Sequence, residues 1–226
     1  MENLIYILFV SVFFPILLMS LLIEKKARLP VVFMLVGIFI SVFASEVNGL
    51  MQSLLLMDGF EFTIIVTPIT EEILKALPIL IYATMLSDKK ETLFTAAMAT
   101  GIGFAVLENA YYLLNYSSFH MIEAIIRAFG AGLMHGMCTL LVGVGISFAK
   151  KRRKIFAVGI FALLSLAITY HGIYNMLVQS EYQLIGVLLP IITYLPFFIW
   201  RFKIKNKKKK EEVVEETVQK ETTMGE

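Results

Sequence analysis

The stretch FTIIVTPITEEILKALPILIYATML, residues 62–86, sets the terms for the rest of the chain. It is long and apolar enough to read as a membrane-spanning helix, yet Glu71, Glu72 and Lys75 sit near its middle. One charged side chain near a bilayer centre costs about 2.5–3.5 kcal/mol on insertion scales, so this cluster needs a purpose. On a helix Lys75 lies one turn beyond Glu71 and within reach of Glu72, and it partly neutralises them. One lysine cannot fully pair two adjacent carboxylates. One glutamate must shed its charge or find another partner in the bundle. Pro68 and Pro78 flank the cluster. Each removes a backbone donor and bends a helix interior. The expectation is either an ordinary kinked span or a helix opened to water beside Glu71 and Glu72.

Beyond this stretch the composition excludes an ordinary soluble domain. Of 226 residues, 58% are hydrophobic and 17% charged, where a soluble domain runs nearer half and a quarter. Apolar runs of spanning length cover roughly residues 4–23, 30–50, 62–86, 92–116, 121–149, 155–178 and 184–200. The expected fold is all-α, a polytopic membrane bundle of about seven transmembrane helices. Glu24–Arg28 reads as a short basic loop, with Pro30 in the first turn of the next helix. The polar Ser45–Gly49 leaves the end of the second span soft, and Asp58-Gly59 marks a turn. The first run has no basic residue before it and is too long for a signal-peptide core, so it reads as a retained span. The single cysteine, Cys138, excludes an intramolecular disulfide and reads as a small buried apolar side chain. A Cys–His pair with His135, one turn away, is the minor alternative. We divide the chain into a transmembrane domain, residues 1–203 with a motif-bearing core at 62–178, and a charged tail, 204–226, expected to be disordered and cytoplasmic. Lys207–Lys210 would meet anionic lipid.

The placement of charge gives an orientation. Lys and Arg cluster after the first, third, fifth and seventh spans and are absent from the loops after the second, fourth and sixth. The positive-inside rule then puts the N-terminus outside and the C-terminus in the cytoplasm. Counting about 1.5 Å per residue from the outer ends puts Glu71 and Glu72 roughly 14–15 Å deep, Glu108 roughly 11 Å, His171 roughly 10 Å and His135 roughly 20 Å. Polar groups from four spans therefore converge on the outer half of one bundle. Each has a bland reading alone. Glu108 could bond Asn109 or a tyrosine, His135 a backbone carbonyl, His171 and Asn175 could clasp two helices, and Arg127 could snorkel. Together, three glutamates and two histidines make the inventory of a hydrolase, with a base to activate water and donors or a metal to stabilise an oxyanion.

Glu71-Glu72-x-x-Lys75, Phe104-x-x-x-Glu108-Asn109, Arg127 with His135 two turns later, and His171-Gly-x-Tyr-Asn175 occur in this order on consecutive spans. Together they resemble the PrsW family of intramembrane proteases, related to the CAAX prenyl endopeptidases and the bacteriocin-processing proteases. Lys75 and Glu108 are similar to the PrsW branch, since the CAAX branch typically has Arg after its glutamate pair and His in the second motif. At position 175 the chain has Asn where some members have Asp. The resemblance implies site-1 cleavage of a membrane-anchored anti-sigma factor, on the extracytoplasmic side of a bacterial plasma membrane, as part of a stress response. It implies catalytic residues at Glu71, Glu72, Glu108, His135 and His171.

Either Glu71 or Glu72 is expected to be the general base. His135 and His171, with Asn175, would polarise the scissile carbonyl. Lys75 and Arg127 would balance charge, Glu108 would position water or a histidine tautomer, and Asn109 would support it. No cofactor is required on this reading. The alternative is a zinc site of Glu72, Glu108, His135 and His171, although the H-E-x-x-H spacing of zincins is absent. Competing functions are a CAAX-type or bacteriocin-processing protease, an immunity factor or silent scaffold, and a proton-coupled transporter. The expected partners are a membrane-anchored protein substrate and lipid, without nucleic acid.

Overall fold

A computed structural model describes residues 4–86, 89–115, 121–149 and 156–197, together with 199, 202 and 203. Among these residues there are helices and no strands. They are α1 (Leu4–Leu22), α2 (Lys25–Leu55), α3 (Gly59–Met85), α4 (Lys90–Asn115), α5 (Met121–Ala149) and α6 (Phe156–Val178), then a shorter apolar α7 (Gln183–Phe197). The chain divides into two compact units, Met1–Pro190 and Ile191–Glu226. Helices α1 to α6 belong wholly to the first. The basic run Lys150–Lys154 and the tail from residue 204 lie outside the described residues.

Five helices are long and apolar enough to cross a membrane, at Leu4–Leu22, Ala27–Leu55, Lys90–Asn115, Arg127–Phe148 and Ala157–Val178, so the protein is multi-pass. Helix α3 has 27 residues, about 40 Å of length against a hydrocarbon core of about 30 Å. Its charges alone set it apart from the five. Its amphipathicity is reversed for a membrane: Glu71, Glu72 and Lys75 are buried, while Ile65, Ile69, Ile73, Leu77 and Ile81 face outward. In lipid this is the cheaper arrangement, because the apolar face meets hydrocarbon and the charges meet one another. Helix α3 runs unbroken through Pro68 and Pro78.

Two expectations about α2 need correction. The basic residues after α1 are not a loop, because α2 starts at Lys25 with Glu24 at its N-cap position. Arg28 turns back, and its Nη2 donates to the carbonyls of Ile23 (3.2 Å) and Leu21 (3.4 Å). It thereby serves end carbonyls of α1 that lack helical donors. Nor does the span end near Leu50, where the sequence reading left its soft end. The helix continues to Leu55 and closes on Leu56 in the left-handed conformation. Ser45, Asn48 and Gly49 line a protein cavity, so their polarity does not require the membrane surface. At Asp58 the turn forms as expected, with the carboxylate accepting from the Phe60 amide at 3.0 Å to cap α3.

Helix α4 lies between α2 and α5, and glycine sets how closely. A Cβ on Gly103 would overlap the backbone carbonyl of Met34 in α2, and one on Gly101 would overlap that of His135 in α5. Backbone thus meets backbone, as small residues permit between membrane helices. Helix α6 packs on α5 and α3. Its Gly172 sits against the carbonyl of Ile64, the group whose helical donor is missing because Pro68 has no N–H. Helix α1 lies outermost against α2 and α4, burying only Ile5 and Ser20.

Candidate active site

The close approach of α4 and α5 at Gly101, and of α3 and α6 at Gly172, brings the charged segments of four helices together. Lys75 Nζ donates to Glu72 Oε1 at 2.6 Å and stands 4.0 Å from Glu71 Oε2. It also donates to His135 Nδ1 at 2.8 Å. An ammonium has donors only, so Nδ1 accepts and the proton of His135 sits on Nε2. That nitrogen donates to Glu108 Oε2 at 2.7 Å. On the other side His171 Nδ1 donates to Glu72 Oε1 at 2.8 Å, and His171 Nε2 lies 4.0 Å from Glu71 Oε2. The result is one connected chain, Glu108–His135–Lys75–Glu72–His171. Lys75 and Glu72 are wholly buried, and His135 and His171 nearly so. Phe104 floors it, with its ring 4.4 Å from Lys75 Nζ and 5.0 Å from the His135 ring.

Glu71 stands beside this chain. Its Oε1 accepts from Asn48 Nδ2 at 3.4 Å, while Oε2 is buried without a hydrogen-bond partner. Asn48 is itself held by the Thr70 hydroxyl. The question of how one lysine serves two carboxylates thus has an answer. Lys75 bonds Glu72, and Glu71 turns to a neighbouring helix.

Two cavities meet at the cluster. One, about 190 Å³, is lined by Glu108, Arg127, His135, Tyr174 and Asn175 among others. The other, about 270 Å³, is lined by Glu71, Asn48, Phe104, Glu108 and a polar face of α2. Thr67, Glu108 and Tyr112 belong to both walls. Glu108, bonded to His135, therefore stands at the junction.

Of the residues singled out in the sequence, Glu71, Glu72, Lys75, Glu108, His135 and His171 come together. Arg127 lies at the cavity wall, its guanidinium 4.0 Å over the Tyr112 ring. Asn175 lines the same cavity, and its Nδ2 donates to the Thr63 carbonyl at 2.9 Å, tying α6 to α3. Asn109 lines neither cavity, and its Oδ1 is buried without a partner. Cys138 makes no bond to His135, since its thiol points at the Ala167 carbonyl, 3.4 Å away. The sequence reading passed over Asn48 and the polar face of α2. Their signal was a regular spacing of polar residues within an apolar run.

Residues 25–201 match the family described as PrsW family intramembrane metalloprotease. The chain belongs to this family. No curated protein and no solved structure matches it. Membership makes the chain an intramembrane peptidase, and the matched region contains every residue of the cluster. It leaves out α1 and the charged tail from residue 204.

The family description raises the question of a metal. Glu71, His135 and His171 each offer one ligand atom, and these atoms lie within 4.8 Å of one another. With Glu71 Oε2 lacking a hydrogen-bond partner, this donor set fits a single ion such as zinc. It differs from the set expected from the sequence, which had Glu72 and Glu108 in place of Glu71. Lys75 and His171 both bond Glu72 through Oε1, leaving its buried Oε2 without a hydrogen-bond partner, and His135 bonds Glu108 through Oε2.

Proposed function

We propose that this PrsW-family peptidase cleaves a membrane-anchored protein by a water molecule activated at Glu71. The observation that carries the reading is that Glu71 opens onto a cavity with one long hydrogen bond and a buried Oε2 without a hydrogen-bond partner, whereas Glu72 lines neither cavity and is tied through Oε1 to both Lys75 and His171. In this mechanism Glu71 accepts a proton from water as the oxygen attacks the scissile carbonyl carbon. When the tetrahedral intermediate collapses, the C–N bond breaks and Glu71 returns the proton to the leaving amine. His135, protonated on Nε2, donates to the developing oxyanion as the substrate carbonyl takes the place of Glu108. Glu72 fixes the tautomer of His171 and the position of Lys75. Asn175 holds α6 in register with α3, and Arg127 offsets the carboxylates from the cavity wall.

A second reading is supported by the spacing of Glu71, His135 and His171. These three residues would hold zinc, which when bound supplies Lewis-acid polarisation of water and carbonyl. The first reading draws support from His135, because both its nitrogens are already engaged. Reconstituted enzyme, with and without a strong chelator, separates the two. Cleavage of a tagged single-span substrate that survives chelation but is lost in Glu71→Gln supports the glutamate mechanism. Cleavage abolished by chelator and restored by zinc overturns it.

The substrate we propose is a membrane-anchored anti-sigma factor, cut at the extracytoplasmic side of a bacterial plasma membrane. The support is the family resemblance of the four motifs, together with the placement of Lys and Arg on alternate loops. The domain division at residue 203 is part of the same proposal.

A further inference from the structure

Helix α2 carries Ser41, Ser45, Asn48 and Gln52 at helical spacing on one face. That face lines the 270 Å³ cavity onto which Glu71 and Glu108 open. Most hydroxyls on the packed helices are silent. Ser20 donates to the Leu17 carbonyl at 2.7 Å, Thr100 to Ala96 at 2.9 Å, Thr139 to His135 at 3.0 Å and Ser147 to Val144 at 2.9 Å. Such back-bonding is how a hydroxyl hides in an apolar slab. Ser41 and Ser45 do not do this, and with Gln52 they have no hydrogen-bond partner among the described residues. Asn48 is the exception, joined to Thr70 and Glu71. Free donors and acceptors facing a cavity inside a membrane protein call for a ligand that supplies the complement.

A transmembrane substrate supplies it. Its carbonyls are bonded within its own helix, so the bond to be cut must first leave the helix. The freed N–H and C=O groups then need partners where lipid offers none. We propose that the stripe Ser41–Ser45–Asn48–Gln52 is the docking strip for the unwound backbone of the substrate, delivering the scissile bond to Glu71. The stripe is about 16 Å long at 1.5 Å per residue, which matches roughly five residues of extended chain at about 3.3 Å each. One turn before Ser41 the same face of α2 is fixed against α4, where Gly37 meets the Thr100 carbonyl, so that end of the strip is held in place. This inference rests on the peptidase reading centred on Glu71.

Disulfide trapping tests it. Ser45→Cys is placed in a Glu71→Gln background, and a single cysteine is walked through the span of a tagged single-span substrate. Cys138 is buried, so Glu71→Gln alone sets the background. Docking predicts crosslinks confined to a contiguous window of about five substrate positions. No crosslink at any position, or equal crosslinking at all of them, overturns it. Ser41→Ala with Ser45→Ala is expected to raise KM about five- to tenfold with kcat within about twofold, as loss of uniform binding does. A fall in kcat at constant KM would make the stripe a water path and overturn the proposal. Cleavage by otherwise unaltered enzyme is scored separately. A crosslink window without cleavage sinks the peptidase reading for that substrate and leaves docking standing, whereas cleavage without a window does the reverse.

Discussion

Lys75 Nζ and His135 Nδ1 lie 2.8 Å apart, sixty residues distant in sequence and both buried. The contact sets the protonation pattern of the site. A donor-only ammonium on Nδ1 leaves the imidazole proton on Nε2, aimed at Glu108. Lys75 is therefore an orienting group as much as a counter-charge.

Removing that cation should be costly. Lys75→Met strands Glu72 and leaves His135 without its donor, and breaking a buried pair from one side typically costs about 3–5 kcal/mol. Adding Glu72→Gln to Lys75→Met should recover part of the loss, because the uncompensated charge goes with it. Thermal unfolding in detergent across the four proteins of this cycle gives the coupling. Strictly additive losses would mean that the pair is not a unit.

The two adjacent glutamates should separate by phenotype. Glu71→Gln removes a group with one long hydrogen bond, at 3.4 Å, and should shift stability by less than about 1 kcal/mol. The same change should lower cleavage by about 10²–10⁴-fold, the usual contribution of a general base. Glu72→Gln weakens bonds at 2.6 and 2.8 Å and should show its loss in stability first. Unfolding midpoints measured beside cleavage rates decide it. A reversed pattern would move the base to Glu72.

At Gly101 and Gly103 the added methyl of alanine has nowhere to go but into backbone. Each substitution should destabilise by about 1–3 kcal/mol, the range for overpacking. Gly49 has nothing within 4 Å of an added Cβ, so Gly49→Ala serves as the control and should be neutral or slightly stabilising. Equal unfolding midpoints for all three would contradict the close packing of α4.

Asn175→Asp exchanges a donor for a carboxylate against the Thr63 carbonyl, where the amide now donates at 2.9 Å. The expected cost is about 1–3 kcal/mol, that of an unmet buried polar group. Asn175→Gln tests reach, since it keeps the amide but lengthens the arm. A stable, fully active Asn175→Asp enzyme would show that the clasp to α3 is dispensable.

The spans were legible because lipid imposes a local rule, that a segment of spanning length must be apolar. The bounds of α5 agree with the sequence reading, and those of α1, α3, α4 and α6 come within a few residues. The site cluster was legible for the complementary reason, since Glu71, Glu72, Lys75, Glu108, His135 and His171 break that rule at a cost. Helix α2 was misjudged at both ends because Lys25–Arg28 and Ser45–Gly49 are polar, and composition cannot distinguish water from a cavity. The partnerships were beyond local reading. That Lys75 bonds Glu72 and His135, that Glu71 leans on Asn48, and that Ser41 and Ser45 keep their hydroxyls free follow from packing between helices. Contacts such as Glu72 with His171, 99 residues apart, depend on backbone approach at Gly101 and Gly172. The sequence alone determined which segments enter the membrane and which charges they carry, because burial in lipid is decided residue by residue. Only the tertiary structure decided which charge meets which, because that depends on distances set by the helices packing together.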